Sequence, residues 1–304
     1  MKLNFMGYKY LYFLISLVFL VPGIFSLLNW GLKPAIDFTG GSILEIKNEK
    51  FNPPVNGNNN DNEKIKIIQN IEIIEGIKLN SIQASGNKTY LLRLNSINEG
   101  QKEGLLKNLT QEYGEIEEVK FETVGPTIGK ELITKTIIAI ILASGFILFY
   151  IGQRFKNWKY GICAILAMFH DSFILLGTFS LLGHFKGVEV DTLFVTAMLT
   201  ILSFSVHDTV VVYDRIRESV KNYPKIKFED LVNKAVVETL SRSLNNSMTI
   251  IFMLLCLYLL GGVTIKWFSL ALLIGTVSGT YSSTFTAAPL LVAWNNWEEK
   301  RKGK

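Results

Sequence analysis

Charged residues are scarce in this sequence, and several long stretches contain none. Of its 304 residues only 19% are charged, while 49% are hydrophobic. About 20 apolar residues in a helix are needed to cross the roughly 30 Å hydrocarbon core of a bilayer. The uncharged stretches are close to this length or exceed it, which excludes a soluble single-domain enzyme and predicts an integral membrane protein. They are 10–32, 136–153, 243–265 and 267–297.

Residues that would build a disulfide framework, a metal site or a nucleotide site are also lacking. The two cysteines, Cys163 and Cys256, lie inside apolar runs, and there are only three histidines. No Walker loop is present, so energy from ATP would have to come through a partner. We therefore predict no cofactor, no metal and no enzyme activity. The net charge of +5 suggests nucleic acid at first, but the cations flank apolar runs, which favours a role in membrane topology and no nucleic-acid partner.

The apolar residues divide into six candidate transmembrane helices, because only a helix satisfies its own backbone hydrogen bonds in lipid. The N-terminal run resembles a signal peptide, but it is too long and no cleavage site of small residues follows, so a retained anchor is predicted. All five tryptophans lie at or near the ends of runs, as membrane-interface anchors do. The predicted spans are 10–28, 132–152, 158–182, 192–213, 245–262 and 267–294.

The distribution of lysine and arginine predicts the orientation of these helices. One set of flanks contains at least two cations in each segment, whereas the opposite short loops around Lys186 and Lys266 contain one each. The positive-inside rule then places both termini in the cytoplasm. The predicted domains are a cytoplasmic N-terminus with the first span at 1–32, an extracytosolic domain at 33–130, five spans at 131–297 with a cytoplasmic connection at about 214–242, and a cytoplasmic tail at 298–304.

The extracytosolic domain has the pattern of a small α+β fold. Strands are predicted at 42–47, 78–84, 88–95 and 116–123, and helices at 63–75 and 99–113, although the isoleucines of the first helix also permit a strand. A polar, Asn- and Pro-rich linker at 51–62 and a Ser-Gly-Asn turn at 85–87 separate these elements. The order βαββαβ predicts a ferredoxin-like domain. It has no histidine and no catalytic set, so a binding or lever role is favoured.

Two carboxylates lie inside predicted spans, where an unpaired charge costs several kcal/mol, and are therefore functional candidates. Asp208 is about five residues from the cytoplasmic end of the fourth span, and Asp171 is near the middle of the third. Arg242, at the start of the fifth span, should lie at the depth of Asp208 and within reach of it. Burial raises a carboxyl pKa and a nearby cation lowers it, which suits a proton-coupled switch. Structural alternatives stay open: Asp208 as a hydrated helix-end residue, and Asp171 as a link between helices.

Two further patterns concern helix packing. Small residues recur every four positions in the last span, including Gly275, Gly279 and Ser283, which predicts close contact with another helix in the bundle or in a partner. In the cytoplasmic connection, apolar residues between Phe228 and Leu240 recur at helical spacing. This stripe predicts an amphipathic helix lying along the membrane face.

Four blocks of sequence resemble the SecD/SecF family of bacterial protein-export membrane proteins. They occur in the family's order and match its span count, and the chain lacks the much larger external region typical of SecD. The blocks are Ile36–Gly41 (IDFTGG), Val124–Leu132 (VGPTIGKEL), Val206–Glu218 (VHDTVVVYDRIRE) and Gly261–Leu291 (GGVTIKWFSLALLIGTVSGTYSSTFTAAPLL).

The resemblance implies an RND-like membrane fold and a heterodimer with SecD that associates with the SecYEG channel, with YajC and SecA as further candidate partners. The complex would help to export preproteins across the cell (inner) membrane by using the proton-motive force. The family's proton-coupling carboxylate falls on Asp208 and its arginine on Arg242. The family commonly has Asn where His207 stands, so His207 is a second candidate for titration near neutral pH. A small-molecule exporter of the RND type is the alternative function, and a structural scaffold is a third.

Overall fold

The computed structural model describes residues 4–51, 67–68, 71, 76–84, 88–155 and 157–302. The chain forms two compact units, one of Met1–Lys33 with Ile138–Lys304 and one of Pro34–Ile137. Strands occur at β1 (Gly41–Lys47), β2 (Leu79–Ala84), β3 (Thr89–Leu94) and β4 (Glu117–Val124). In chain order the helices are α1 (Lys9–Asn29), α2 (Ile36–Thr39), α3 (Glu99–Tyr113), α4 (Pro126–Arg154), α5 (Trp158–Lys186), α6 (Thr192–Asn222), α7 (Phe228–Leu260), α8 (Val263–Ser282) and α9 (Ala288–Lys302).

The smaller unit contains a four-stranded antiparallel sheet in the order β2-β3-β1-β4. Alternate residues of β1 and β3 are buried, and they form one core with the apolar side of α3, including Leu44, Leu92, Leu105 and Leu109. Asn98 and Gln101 close a capping box at the start of α3, which satisfies two otherwise free backbone N–H groups.

The sequence pattern anticipated the elements of this unit that the structure describes. Each of the four strands lies within two residues of its predicted bounds, and α3 has the predicted bounds. The predicted helix at 63–75 falls largely outside the described residues, although 67–68 and 71 are helical. The linker at 51–62, beyond Phe51, and the turn at 85–87 also lie outside them.

In the larger unit, five helices of the described chain are long and apolar enough to cross a membrane: α1 with the 3₁₀ turn before it, α4, α5, α6 and α7. The predicted sixth span, at 267–294, covers α8, a π-helical segment at Ser283–Ala287 and the first residues of α9. This span is therefore divided by a local change of helical pitch. In the apolar window of α4 no residue is fully buried inside the chain. The helix packs on the bundle core near its C-terminal end through Ile147 and Ile151, and its exposed side is available to lipid or to another protein.

Helices α6 and α7 extend well beyond their apolar parts and form a long antiparallel hairpin. The predicted connection at 214–242 is the last turns of α6, the link after Asn222 and the first turns of α7. Val232, Ala235 and Val236 are buried in one core with Tyr213 and Ile216. The prediction of an amphipathic helix along the membrane face was therefore wrong, because a stripe that faces a partner helix has the same spacing as one that faces lipid.

Helix α1 packs closely against α5 through glycine. A Cβ added to Gly177 would lie 2.4 Å from the Cα of Gly23, so the two backbones touch. One turn away, the hydroxyls of Ser26 and Ser180 are 2.7 Å apart, and Ser180 also donates to the carbonyl of Gly31 at 2.6 Å. This contact fixes α5, which carries the first acidic residue of the bundle.

Candidate functional site

The carboxylate of Asp171, on α5, lies in the bundle interior with 1% of its surface exposed. Three serine hydroxyls and one imidazole nitrogen form hydrogen bonds with this carboxylate. Oδ1 accepts from Ser278 at 2.5 Å and lies 3.0 Å from His170 Nδ1. Oδ2 accepts from Ser205 at 2.6 Å and from Ser282 at 2.5 Å. Asp171 therefore joins α5 to α6 and α8.

Asp208, on α6, is the second acid in the interior, with 7% of its surface exposed. Its Oδ2 accepts hydrogen bonds from Ser243 at 2.5 Å and from Ser283 at 2.7 Å. Ser243 belongs to α7 and Ser283 opens the π segment, so Asp208 also joins three elements. The reading of Asp208 as a hydrated helix-end residue does not fit this burial.

The two acids are linked through consecutive parts of the same helices. Ser205, which donates to Asp171, is three residues before Asp208 on one face of α6. Ser282 donates to Asp171, and the next residue, Ser283, donates to Asp208. The helix changes from α to π between these serines. Single π turns inside helices are frequent at functional sites, and this one places adjacent serines on the two acids.

The hydroxyl lining decides what these carboxyl groups can do. A serine hydroxyl donates to a carboxylate, and after rotation it accepts from a carboxylic acid. A lysine or arginine partner would stabilise only the ionised form. The printed contacts of Asp208 within the described chain are hydroxyls only. Its surroundings therefore accommodate both protonation states, which is the property that a proton carrier needs.

Arg242 does not form the predicted ion pair with Asp208 among the described residues. Its neighbour Ser243 faces the acid instead, and Arg242 is exposed beside a cavity of about 530 Å³ lined also by Asp214, Arg215 and Glu238. Consecutive helical residues point about 100° apart, so Arg242 faces away from the acid that its neighbour contacts. His207 is also exposed.

The four-residue stripe of small residues lies where α8 meets α6. A Cβ on Gly275 would lie 2.2 Å from Ile201 Cδ1, and one on Gly279 would lie 3.4 Å from the Cα of Ser205. This close approach brings Ser278 and Ser282 within reach of Asp171. Ser283, expected as a packing residue, is a hydrogen-bond donor to Asp208.

Replacing Gly275 by alanine is expected to push α8 away from α6. The added methyl would overlap three carbons of Ile201, a β-branched side chain with little rotamer freedom in a helix. Overpacking of this kind costs about 1–3 kcal/mol. The thermal unfolding midpoint of the purified chain should fall. The double variant Gly275→Ala with Ile201→Ala should lose less stability than the sum of the two single variants, because the added methyl then enters space that Ile201 occupied. Additive losses would contradict this contact.

Sequence reasoning did not identify Ser278, Ser282 and His170 as parts of the site. The signal was present for the two serines, because they are one helical turn apart in an apolar span. The hydroxyl of Ser205 donates to Asp171 although Ser205 shares a face of α6 with Asp208. His170 precedes Asp171 in sequence and lies within hydrogen-bonding distance of its carboxylate.

Comparison with known proteins places the chain in a family. Residues 105–297 match the family model for the C-terminal part of the protein export membrane proteins SecD/SecF. The protein translocase subunit SecF of Thermobaculum terrenum is 45% identical over 297 residues, covering 95% of this chain and 93% of the relative. That of Anaerolinea thermophila is 37% identical over 302 residues, covering 97% and 95%.

Solved structures of SecDF are also similar. The crystal structure of SecDF, a translocon-associated membrane protein from Thermus thermophilus, has a TM-score of 0.82 at 30% identity and is matched by 97% of this chain. SecDF in a super-membrane-facing form has a TM-score of 0.70 at 30% identity. The chain spans about two fifths of the length of each of these SecDF chains. With its family model, relatives and fold in agreement, this membrane protein belongs to the SecD/SecF family of protein-export membrane proteins.

Proposed function

We propose that the chain is a SecF-type subunit that works with SecD to promote preprotein export through SecYEG by using the proton-motive force. The observation that carries this proposal is the buried Asp208 carboxyl, which is surrounded by hydroxyls and joins α6, α7 and the π segment. The match to SecF subunits over nearly the whole chain supports the export role.

The proposed topology has six spans and both termini in the cytoplasm of a cell that exports across its inner membrane. The sixth span comprises α8, the π segment and the start of α9. The positive-inside distribution supports the orientation. The unit between the first two spans would be extracytosolic and ferredoxin-like, which the sheet order β2-β3-β1-β4 with α3 between β3 and β4 supports.

Proton uptake by Asp208 would change which groups hold the three elements together. The ionised carboxylate draws the hydroxyls of Ser243 and Ser283 toward it, and hydrogen bonds to a charged group are about twice as strong as those between neutral groups. Protonation weakens this attraction and lets α7 and the π segment adjust. Moving one charge through the membrane field supplies about 2.3 kcal/mol per 100 mV, which is enough to bias a two-state rearrangement.

The roles of Arg242 and His207 follow from their positions. Arg242 would become the counter-charge of Asp208 only in a second state in which α7 has turned, since Ser243 occupies that place here. His207 points out of the bundle, so we assign the transferred proton to Asp208 and none to His207 in this state.

SecD is the proposed partner because the similar solved structures are of SecDF, and this chain corresponds to about two fifths of each of them. The exposed side of α4 is the proposed contact face. SecYEG, SecA and YajC would associate with the resulting complex, and exported preproteins would be its substrate.

Export in cells depleted of this protein tests the proposal. Restoring the chain should speed the late stage of preprotein export, and an uncoupler should remove that gain. SecD and SecY should co-purify with the full chain from mild detergent. A gain that persists with the uncoupler would contradict proton coupling. Recovery of an outer-membrane channel instead of SecY would favour the alternative of a small-molecule exporter.

A further inference from the structure

The imidazole of His170 is buried in the bundle and bonded on one side only. Its exposed fraction is 6%, and Nδ1 lies 3.0 Å from Asp171 Oδ1. Nε2 is buried and has no hydrogen-bond partner among the described residues. A buried polar atom left unpaired costs about 1–3 kcal/mol. This nitrogen therefore points to a ligand that the protein atoms do not supply.

The neighbouring Asp171 carboxylate has all of its hydrogen-bond acceptor positions occupied. Each of its oxygens has two partners, His170 and Ser278 at Oδ1, and Ser205 and Ser282 at Oδ2. A carboxylate offers about four acceptor positions, so the anion has no vacant position for a further proton. Protonating this carboxyl would require one donor to turn away.

The charge of such an anion in the membrane interior needs a nearby cation. Among the described residues, His170 is the only contact of Asp171 that becomes a cation on protonation. We propose that His170 and Asp171 form a second proton-binding site, in which Nε2 of His170 takes up and releases the proton and Asp171 remains the balancing anion. The inference rests on the proposed function, to which it adds a proton-carrying residue.

The proton count of this site balances without any other reactant. In the empty state the imidazole is neutral, its Nδ1–H donates to Asp171, and Nε2 carries a lone pair. Uptake forms one N–H bond at Nε2 and makes the pair an imidazolium with a carboxylate, of net charge zero. Release breaks the same N–H bond and leaves the pair with a charge of −1. A proton and the water that delivers it are thus the ligand of Nε2.

The two proton sites are expected to influence each other. The titratable groups that face this part of the interior are Asp208 from α6, Tyr281 from α8 and Tyr12 from α1. The Tyr281 ring lies 6.4 Å from that of His170, and its hydroxyl donates to the Tyr12 carbonyl. Arg242 of α7 is exposed, and the charged residues of α9 lie at its far end, in 298–302. An ionised Asp208 stabilises imidazolium, and loss of the His170 proton favours protonation of Asp208.

Nitrogen NMR of the wild-type chain tests this inference. The full-length protein would be labelled with ¹⁵N-histidine in liposomes, and its three histidines assigned from the variants His170→Asn, His184→Asn and His207→Asn. Between about pH 9 and pH 5 the Nε2 signal of His170 should move from the unprotonated to the protonated position. In Asp208→Asn its midpoint should move to lower pH, because a neighbouring anion is removed. Asp230→Asn, at an exposed carboxylate of α7, should leave the midpoint unchanged.

Two results would overturn the inference. One is a His170 signal that keeps a single protonation state across the range, and the other is a midpoint that Asp208→Asn does not move. Both are read without any transport, so they are separate from the uncoupler test of export. If export is sensitive to the uncoupler but the His170 signal does not change with pH, Asp208 remains the proton carrier and His170 is not part of the proton pathway.

Discussion

The variant Asp208→Asn is expected to abolish the part of preprotein export that an uncoupler removes in cells with the wild-type chain. The amide keeps an oxygen that can accept from Ser243 and Ser283, but it cannot bind or release a proton. The driving force lost is about 2.3 kcal/mol per 100 mV, an approximately fifty-fold change in a two-state equilibrium. The measurement is the rate of late-stage export with and without the uncoupler at matched protein levels.

Asp230→Asn is the control for this variant. Asp230 is an exposed carboxylate in the first turn of α7, so its replacement changes the formal charge equally without touching the interior. Export in this control should match that of the wild type. Export that stays uncoupler-sensitive in Asp208→Asn would remove Asp208 from the coupling mechanism, while the packing and the family assignment would stand.

The variant Gly177→Ala should strongly destabilise the bundle. Its new Cβ would lie 2.4 Å from the Cα and 2.8 Å from the carbonyl carbon of Gly23. Backbone atoms in two helices cannot turn aside as a side chain can, so α1 and α5 must separate. The bonds of Ser180 to Ser26 and to Gly31 would then lengthen. We expect a loss at the upper end of the 1–3 kcal/mol that overpacking costs, measured as a lower thermal unfolding midpoint of the full chain in detergent.

The matched control for this change is Gly145→Ala on α4. A Cβ there meets no atom within 4 Å, and alanine favours a helix by about 1 kcal/mol over glycine. Its midpoint should equal or exceed that of the wild type. A Gly177→Ala protein as stable as the control would show that the α1–α5 contact tolerates an extra methyl group, and the close approach would then not fix α5.

The helices could be predicted well from sequence where one property decided them. The length of the apolar runs located the five spans that the structure supports, and the pattern of 99–113 gave both ends of α3. The prediction of a helix along the membrane face failed for 214–242, where charged residues are interspersed with an apolar stripe. Helical spacing shows that one face is buried, but it does not show whether lipid or another helix covers that face. The long hairpin of α6 and α7 therefore needed the three-dimensional packing.

The site was predictable only in part for a similar reason. The cost of burying a carboxylate identified Asp171 and Asp208 without any structure. Their serine partners lie 34 to 111 residues away in sequence, which no local pattern encodes. Arg242 and Ser243 point about 100° apart on α7, and which of them faces Asp208 depends on the exact rotation of that helix. The bounds of a helix predicted from sequence are uncertain by more than one residue, so the sequence does not determine this rotation. The π segment also left no signal that the sequence reading used.

The division of the Asp171 donors between distant helices has a consequence for biosynthesis. A ribosome delivers α5 and α6 to the membrane before α8, so the newly inserted acid meets His170 and Ser205 first and lacks Ser278 and Ser282. Until α8 arrives, the carboxyl group lacks two of its four hydrogen-bond partners and is a point of instability in the nascent protein. A chain that stops translation before residue 278 should therefore be a preferred target of membrane quality-control proteases.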